Sequence, residues 1–165
     1  MAVNQIEEDE GPLEAEDVTM TGGAAGALNV LFRAVLNPDD EVMVPAPYFS
    51  EYDHYAANVG AVLRPIPTTE DFELNVDELV GAVTERTRIL LLNSPNNPTG
   101  AVYSRADVER VVRWCIEKGI WVVADEVYRR IWFEAPPISA LELDWAKEHV
   151  VVIDSMSKTW SACGL

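Results

Sequence analysis

The sequence predicts an α/β protein, a three-layer sandwich in which helices cover both faces of a mostly parallel sheet. Three observations lead there. Runs such as TRILLLN and IWVVADE are apolar at consecutive positions, as strands buried on both faces must be. They alternate with segments such as SRADVERVVRWCIEKG, whose apolar residues recur at helical spacing. The chain has 165 residues, 48% of them hydrophobic, which is enough for one sizeable core.

Taken in order, the first sixteen residues are an acidic lead. Seven acids fall between Glu7 and Asp17, and the first basic residue is Arg33. Charge of one sign with Gly-Pro inside reads as a disordered lead over 1–16. VTMT (18–21) is a short strand candidate. GGAAGALNVLFRAVL follows as a helix, with Leu28, Leu31, Phe32 and Leu36 on one stripe. EVMVP (41–45) is a β-branched strand. PYFSEYDHYAANVG reads as a helix stopped near Gly60, AVLRPIP as a strand, and VDELVGAV (76–83) as a helix. TRILLLN (87–93) is a buried strand. In the next helix Ser104 is placed to cap the start and Gly119 to end it. IWVVADE (120–126) and HVVVIDS (149–155) are the last strands, with a short helical segment expected over 138–145 between them.

Charge excludes some functions. The net charge is −16, which repels a nucleic-acid backbone or an anionic membrane surface. Cys115 and Cys163 are far apart and form no CxxC pair, so two free thiols are expected and no metal site. No stretch has the length of a membrane span, and the acidic N-terminus lacks the pattern of a secretory leader, so a cytoplasmic location is expected.

Ligands of such sheets bind beyond the C-terminal strand ends, and the unusual polar groups of this sequence cluster there. GGAAGA (22–27) opens a helix with small residues that let backbone N–H groups approach an anion. A tight turn with no ligand explains it equally well. Tyr48 and Phe49, in PAPYFSEY, could stack on a flat ring or simply fill core. NSPNNPTG (93–100) is a rigid turn that fixes Asn97. Asp125 follows four apolar residues and needs a cationic or proton-donating partner. Arg129 or Arg130 could provide a structural ion pair, and a pyridinium nitrogen would serve as well. Tyr128, three residues on, reaches the same place if the chain turns helically. SMSK ends the series: Lys158 is either an exposed loop lysine or a Schiff-base amine, with the Ser155 and Ser157 hydroxyls beside it. Jointly these groups meet the requirements of pyridoxal 5'-phosphate (PLP), which the protein must cradle, orient and tune.

The stretches TMTGGAAGAL, DDEVMVPAPYFSEY, LLNSPNNPTGAVYS, VVADEVYRRIWF and SMSKTWSACGL resemble, in order and spacing over 17–165, a known family. It is the large domain of fold-type I PLP enzymes, in the class I/II aminotransferases of the aspartate aminotransferase group. The resemblance implies that Lys158 forms the covalent bond to the cofactor and that Asp125 pairs with its ring nitrogen. Asn97 and Tyr128 would hydrogen-bond the phenolic oxygen, and Phe49 would stack on the ring. The amides of Gly23, Ala24 and Ala25, with Ser155 and Ser157, would hold the phosphate. A cis Asn97–Pro98 bond is also implied.

The resemblance further implies amino acid and 2-oxo acid substrates, a homodimer, and no nucleic-acid or membrane partner. It implies parts that these 165 residues do not contain. They are an N-terminal closing segment, a phosphate-binding arginine at the next position in the register, the last strands, and a small domain whose arginine binds the substrate carboxylate. The expectation is therefore a partial, truncated PLP-binding large domain over 17–165, poorly active alone. Cofactor residues do not separate transamination from β-elimination, decarboxylation or cyclopropane formation, and a non-catalytic remnant is a third reading. A nicotinamide-binding fold is disfavoured, since the glycine fingerprint is missing and SMSK would be unexplained.

Overall fold

The computed structural model describes residues 13–133 and 136–163. Its centre is a five-stranded, all-parallel sheet. The strands are β1 (Glu41–Ala46), β2 (Val62–Pro67), β3 (Thr87–Asn93), β4 (Trp121–Asp125) and β5 (Val150–Ile153), in the spatial order β2-β1-β3-β4-β5. The order reverses between β1 and β3, which makes the C-terminal end of that pair the switch point where a ligand crevice opens.

Strand alternation divides the core in two. Val42, Val44, Ile89, Leu91, Val123 and Ile153 point to one face, where α1 (Gly23–Val35) and α2 (Glu51–Ala57) cover them. Met43, Leu90, Leu92 and Val122 point to the other, under α3 (Val76–Gly81) and α4 (Arg105–Lys118). Both faces are therefore covered, as the doubly apolar strands require. In α4, Val108, Val111, Val112 and Cys115 are buried at three-to-four spacing. The Ser104 side chain accepts from the Asp107 amide at its start. Gly119 ends it in the left-handed region (φ 68°), a conformation that glycine adopts without strain.

Three expectations need correction. VTMT forms no strand: Val18 and Met20 are exposed, and no described strand pairs with them. α2 begins at Glu51 and not at Pro47, because residues 47–50 lie in an irregular link after a cis Ala46–Pro47 bond. The segment expected to be helical over 138–145 is two single 3-10 turns, Ala140–Glu142 and Asp144–Ala146. Most of the acidic lead, residues 1–12, lies outside the described residues. Its end folds as a 3-10 turn, Ala15–Asp17. Among the described helices none is long and apolar enough to cross a membrane.

Candidate functional site

Parallel strands bring their C-terminal ends to one edge, and the sequence-predicted residues gather there. Asp125 is the last residue of β4 and lies opposite Asn93 of β3 and Ile153 of β5. It shares the parity of Val123, so its side chain faces α2. There the Tyr52 hydroxyl donates to its Oδ2 at 2.5 Å, and the Val127 amide lies 3.4 Å from its Oδ1. Asp125 is 5% exposed, and among the described residues no basic side chain reaches its carboxylate. Burial pushes its pKa above the ordinary carboxylate value, with Asp154 adding to the rise and the Tyr52 and Val127 donors opposing it. Arg129, the structural alternative for Asp125, lies instead against Glu126 (3.6 Å) and Asp154 (3.8 Å).

Asn93 was not among the sequence candidates, yet it ties two of them together. Its carboxamide donates to the Asp125 carbonyl (2.9 Å) and accepts from the Asn97 amide (2.7 Å). The turn holding Asn97 is closed by Asn96, whose Oδ1 accepts from the Thr99 hydroxyl (2.8 Å). Ser94–Pro95 and Asn97–Pro98 are both cis. Asn97 Nδ2 then donates to the Tyr128 hydroxyl at 3.4 Å. Lys158 Nζ stands 5.8 Å from the centre of the Tyr128 ring. Lys158 is exposed on α5 (Met156–Thr159), directly after β5, where Ser155 is the N-cap and its Oγ accepts from the Ser157 amide at 3.2 Å.

Phe49 is half-buried beyond the end of β1 and meets Tyr52 edge to face, with ring centroids 5.5 Å apart. α1 leads through residues 36–40 to the start of β1, so its own N-terminus lies about 20 Å back, toward the C-terminal edge. Among the described residues no side chain caps that terminus. The Gly23 N–H is turned into the chain, donating to the Thr21 carbonyl at 2.9 Å, which leaves the Ala24 and Ala25 amides as the forward-facing donors. A Cβ on Gly22 or Gly23 would meet nothing within 4 Å, so the space before the helix is open.

An open groove of about 1340 Å³ adjoins this edge. Asn97 and Tyr128 are in its wall, with Arg105, Ile131, Trp132 and Phe133 further out. Lys158 and Asp125 do not line it. The groove is a neighbour of the strand-end cluster and shares Asn97 and Tyr128 with it.

The model for aminotransferase class I and II matches residues 4–165. This chain belongs to the class I and II aminotransferase family. It is 37% identical over 161 residues to an aspartate aminotransferase of Streptomyces avermitilis, covering 92% of this chain and 38% of that protein. It is 32% identical to an arginine–pyruvate transaminase of Pseudomonas aeruginosa, covering 92% and 39%. Among solved structures, a mutant Thermus thermophilus aspartate aminotransferase superposes with a TM-score of 0.83 at 35% identity, covering 87% of this chain and 38% of that one. An aromatic aminotransferase of Pyrococcus horikoshii gives 0.81 at 37% identity, covering 86% and 39%. The chain thus spans under half the length of these relatives, and the amino acids in their names differ. The class I and II aminotransferases are PLP-dependent enzymes.

Two residues that matter at this edge, Tyr52 and Asn93, escaped the sequence reading. Tyr52 contacts Asp125 across 73 positions, which no periodicity reports. Asn93 left a signal: a carboxamide ending the otherwise apolar strand TRILLLN has to find partners at the strand end.

Proposed function

We propose that this chain is the PLP-binding part of an aminotransferase, which moves an amino group from an amino acid to a 2-oxo acid. The observation that carries the reading is Asp125. Tyr52 and Val127 give this buried carboxylate hydrogen bonds, but no basic side chain among the described residues gives it a countercharge, and the protonated ring nitrogen of PLP would supply one. The rest of the edge fits the same group. The space before α1 is open to a phosphate, with the Ala24 and Ala25 amides and the helix dipole behind it and Gly23 leaving room. Ser155 and Ser157 supply hydroxyls from the start of α5.

When bound, the cofactor supplies an electron sink for the charge left at the substrate carbon. The chain's own residues would do the remainder. Lys158 would hold the cofactor through its Nζ, and the same amine would move the proton at the substrate Cα. Asp125 keeps the ring nitrogen protonated, and Tyr52 holds Asp125 in place. Asn97 and Tyr128 would donate to the ring's phenolic oxygen, and Phe49 would stack on the ring. The amino acid served is a matter for substrate-domain residues, and family members named for aspartate and for arginine resemble this chain about equally.

The test is covalent capture. The protein is incubated with PLP, reduced with borohydride, digested and mapped by mass spectrometry. One modified peptide, at Lys158, is expected, and K158A should lose it. Modification spread evenly over Lys118, Lys147 and Lys158 would overturn the reading.

A further inference from the structure

Glu126 is the residue after Asp125, and strand alternation turns it to the opposite face of the sheet. It is 3% exposed. Its amide donates to the Ile153 carbonyl (2.8 Å), extending the β4–β5 ladder by one step. Its carbonyl accepts from the Arg129 amide (2.8 Å), and the Tyr128 carbonyl accepts from Ile131 (2.8 Å). Tyr128 therefore sits inside a turn whose first residue is Glu126.

The Glu126 side chain makes a second set of contacts. One oxygen accepts from the Ser139 hydroxyl (2.8 Å) and the other from the Ala140 amide (2.7 Å). The Arg129 guanidinium approaches at 3.6 Å. Ser139 in turn donates its amide to Glu142 (2.8 Å), and Glu142 pairs with Arg105 at the start of α4. One carboxylate thus ties the Tyr128 turn to the 139–142 turn and, through it, to a helix. Burying an acid here needs a reason, since a packed apolar residue would hold two turns together at lower desolvation cost. Directional bonds do what packing does not: they fix the turn's position in register. The Asn97–Tyr128 contact, at 3.4 Å, lies at the outer limit of hydrogen bonding, so a small displacement of that turn would break it.

We propose that Glu126 is a positioning residue for Tyr128, acting through its bonds to Ser139 and Ala140. The positioning role rests on the cofactor reading above. Among the described residues, the charged groups that face Glu126 are Arg129 from its own turn and Asp154 from beyond β5, with Glu142 one bond away through Ser139.

The test uses the whole chain with added PLP, comparing E126Q and S139A with Y128F and the unaltered protein. Two quantities are read: amide hydrogen exchange at 127–131, and the pH midpoint of borohydride-trapped PLP at Lys158. E126Q should lower amide protection about tenfold and move the midpoint in the direction that Y128F moves it. S139A, which keeps the Ala140 bond, should do both to a smaller degree and carries the test if E126Q fails to fold. Lost protection with an unmoved midpoint would make Glu126 structural only and overturn the proposal, as would unchanged protection. No trapping at Lys158 in the unaltered protein would overturn the cofactor reading itself, and the positioning role with it. Normal trapping there confines any failure to Glu126.

Discussion

At the N-terminal end of the sheet Glu41 is buried among four donors, two of them arginines. At the C-terminal end Asp125 is buried with two donors, neither of them basic. Glu41 accepts from Arg64 (2.9 Å), Thr84 (2.6 Å), Thr87 (3.3 Å) and Arg86 (3.4 Å). Burial alone would raise its pKa. The Thr84 hydroxyl and the two arginines outweigh that, and the net direction is down. For Asp125 the direction is up. Both acids are shielded from solvent, Asp125 the more deeply, and among the described residues only Glu41 is given a countercharge. A carboxylate whose charge is matched from within needs nothing further, whereas one left short of a cation points to a ligand that brings one. The fold rule for parallel sheets places ligands at that second end for independent reasons.

The largest effect should come from the matched end. Glu41→Ala strands Arg64 and two threonine hydroxyls, and should lower stability by about 3 kcal/mol. Denaturant unfolding measures it. A loss under about 1 kcal/mol would mean that the Glu41 network is ornamental and the contrast empty.

A pH titration sharpens the contrast, because the two ends respond with opposite sign. Glu41, with its pKa lowered on folding, contributes stability that is present above the unfolded value and lost as pH falls through the folded one. Glu126 does the reverse. Burial pushes its pKa up to about 7, against the opposing Ala140 amide, Ser139 hydroxyl and Arg129. The folded state then holds a proton that the unfolded state has released, so stability falls as pH rises from about 4.5 to about 7. The change is on the order of 3 kcal/mol. E126Q should remove that slope, read as the difference between variant and parent across the window. An identical slope in both proteins would show that Glu126 does not titrate there.

How much of this was legible beforehand follows from the physics of each signal. Strands and the α4 boundaries are local or periodic, so TRILLLN, IWVVADE, Ser104 and Gly119 announced themselves. VTMT had strand composition, but a strand also needs a neighbour to pair with, and composition says nothing of that. Asp125 and Lys158 stood out because polar groups are unexpected after buried runs. Their supports did not. Tyr52 looks like any residue on the inner stripe of α2, and Ser139 like any turn serine. Each gains meaning only from a contact made across the fold. Glu126 was within reach: two adjacent acids at the end of a doubly buried strand must face opposite ways, and each needs its own partners.

Removing the donor to Asp125 should have a middling effect. Tyr52 is fully buried and its hydroxyl has Asp125 as acceptor. Tyr52→Phe keeps the ring and its contact with Phe49 and loses one bond to a charged group, about 1–2 kcal/mol. Asp125 would then be harder to ionise, so PLP capture at Lys158 should weaken at neutral pH and recover partly at higher pH. A capture profile that does not change with pH would detach Tyr52 from the cofactor end.

The smallest stability effect is expected at Asp125, and it decides the comparison. Asparagine keeps the shape and can still accept from Tyr52, while the charge that burial disfavours is gone. Because the folded pKa is raised, the ionised acid weakens the fold at neutral pH, and Asp125→Asn removes that burden. Stability should therefore change by less than about 1 kcal/mol, in either direction. Cofactor capture should move far more, by about tenfold or greater, since a neutral amide cannot hold a proton on the ring nitrogen. A structural acid behaves in the opposite way, with a large stability loss and no specific loss of capture. The experiment pairs D125N with E41Q and reads unfolding and Lys158 trapping on the same samples. If D125N unfolds the protein as readily as E41Q does, both acids are structural and the C-terminal edge loses its claim to a ligand. If D125N folds normally and traps PLP at the parental level, Asp125 is spare, and the ring nitrogen must find its partner elsewhere.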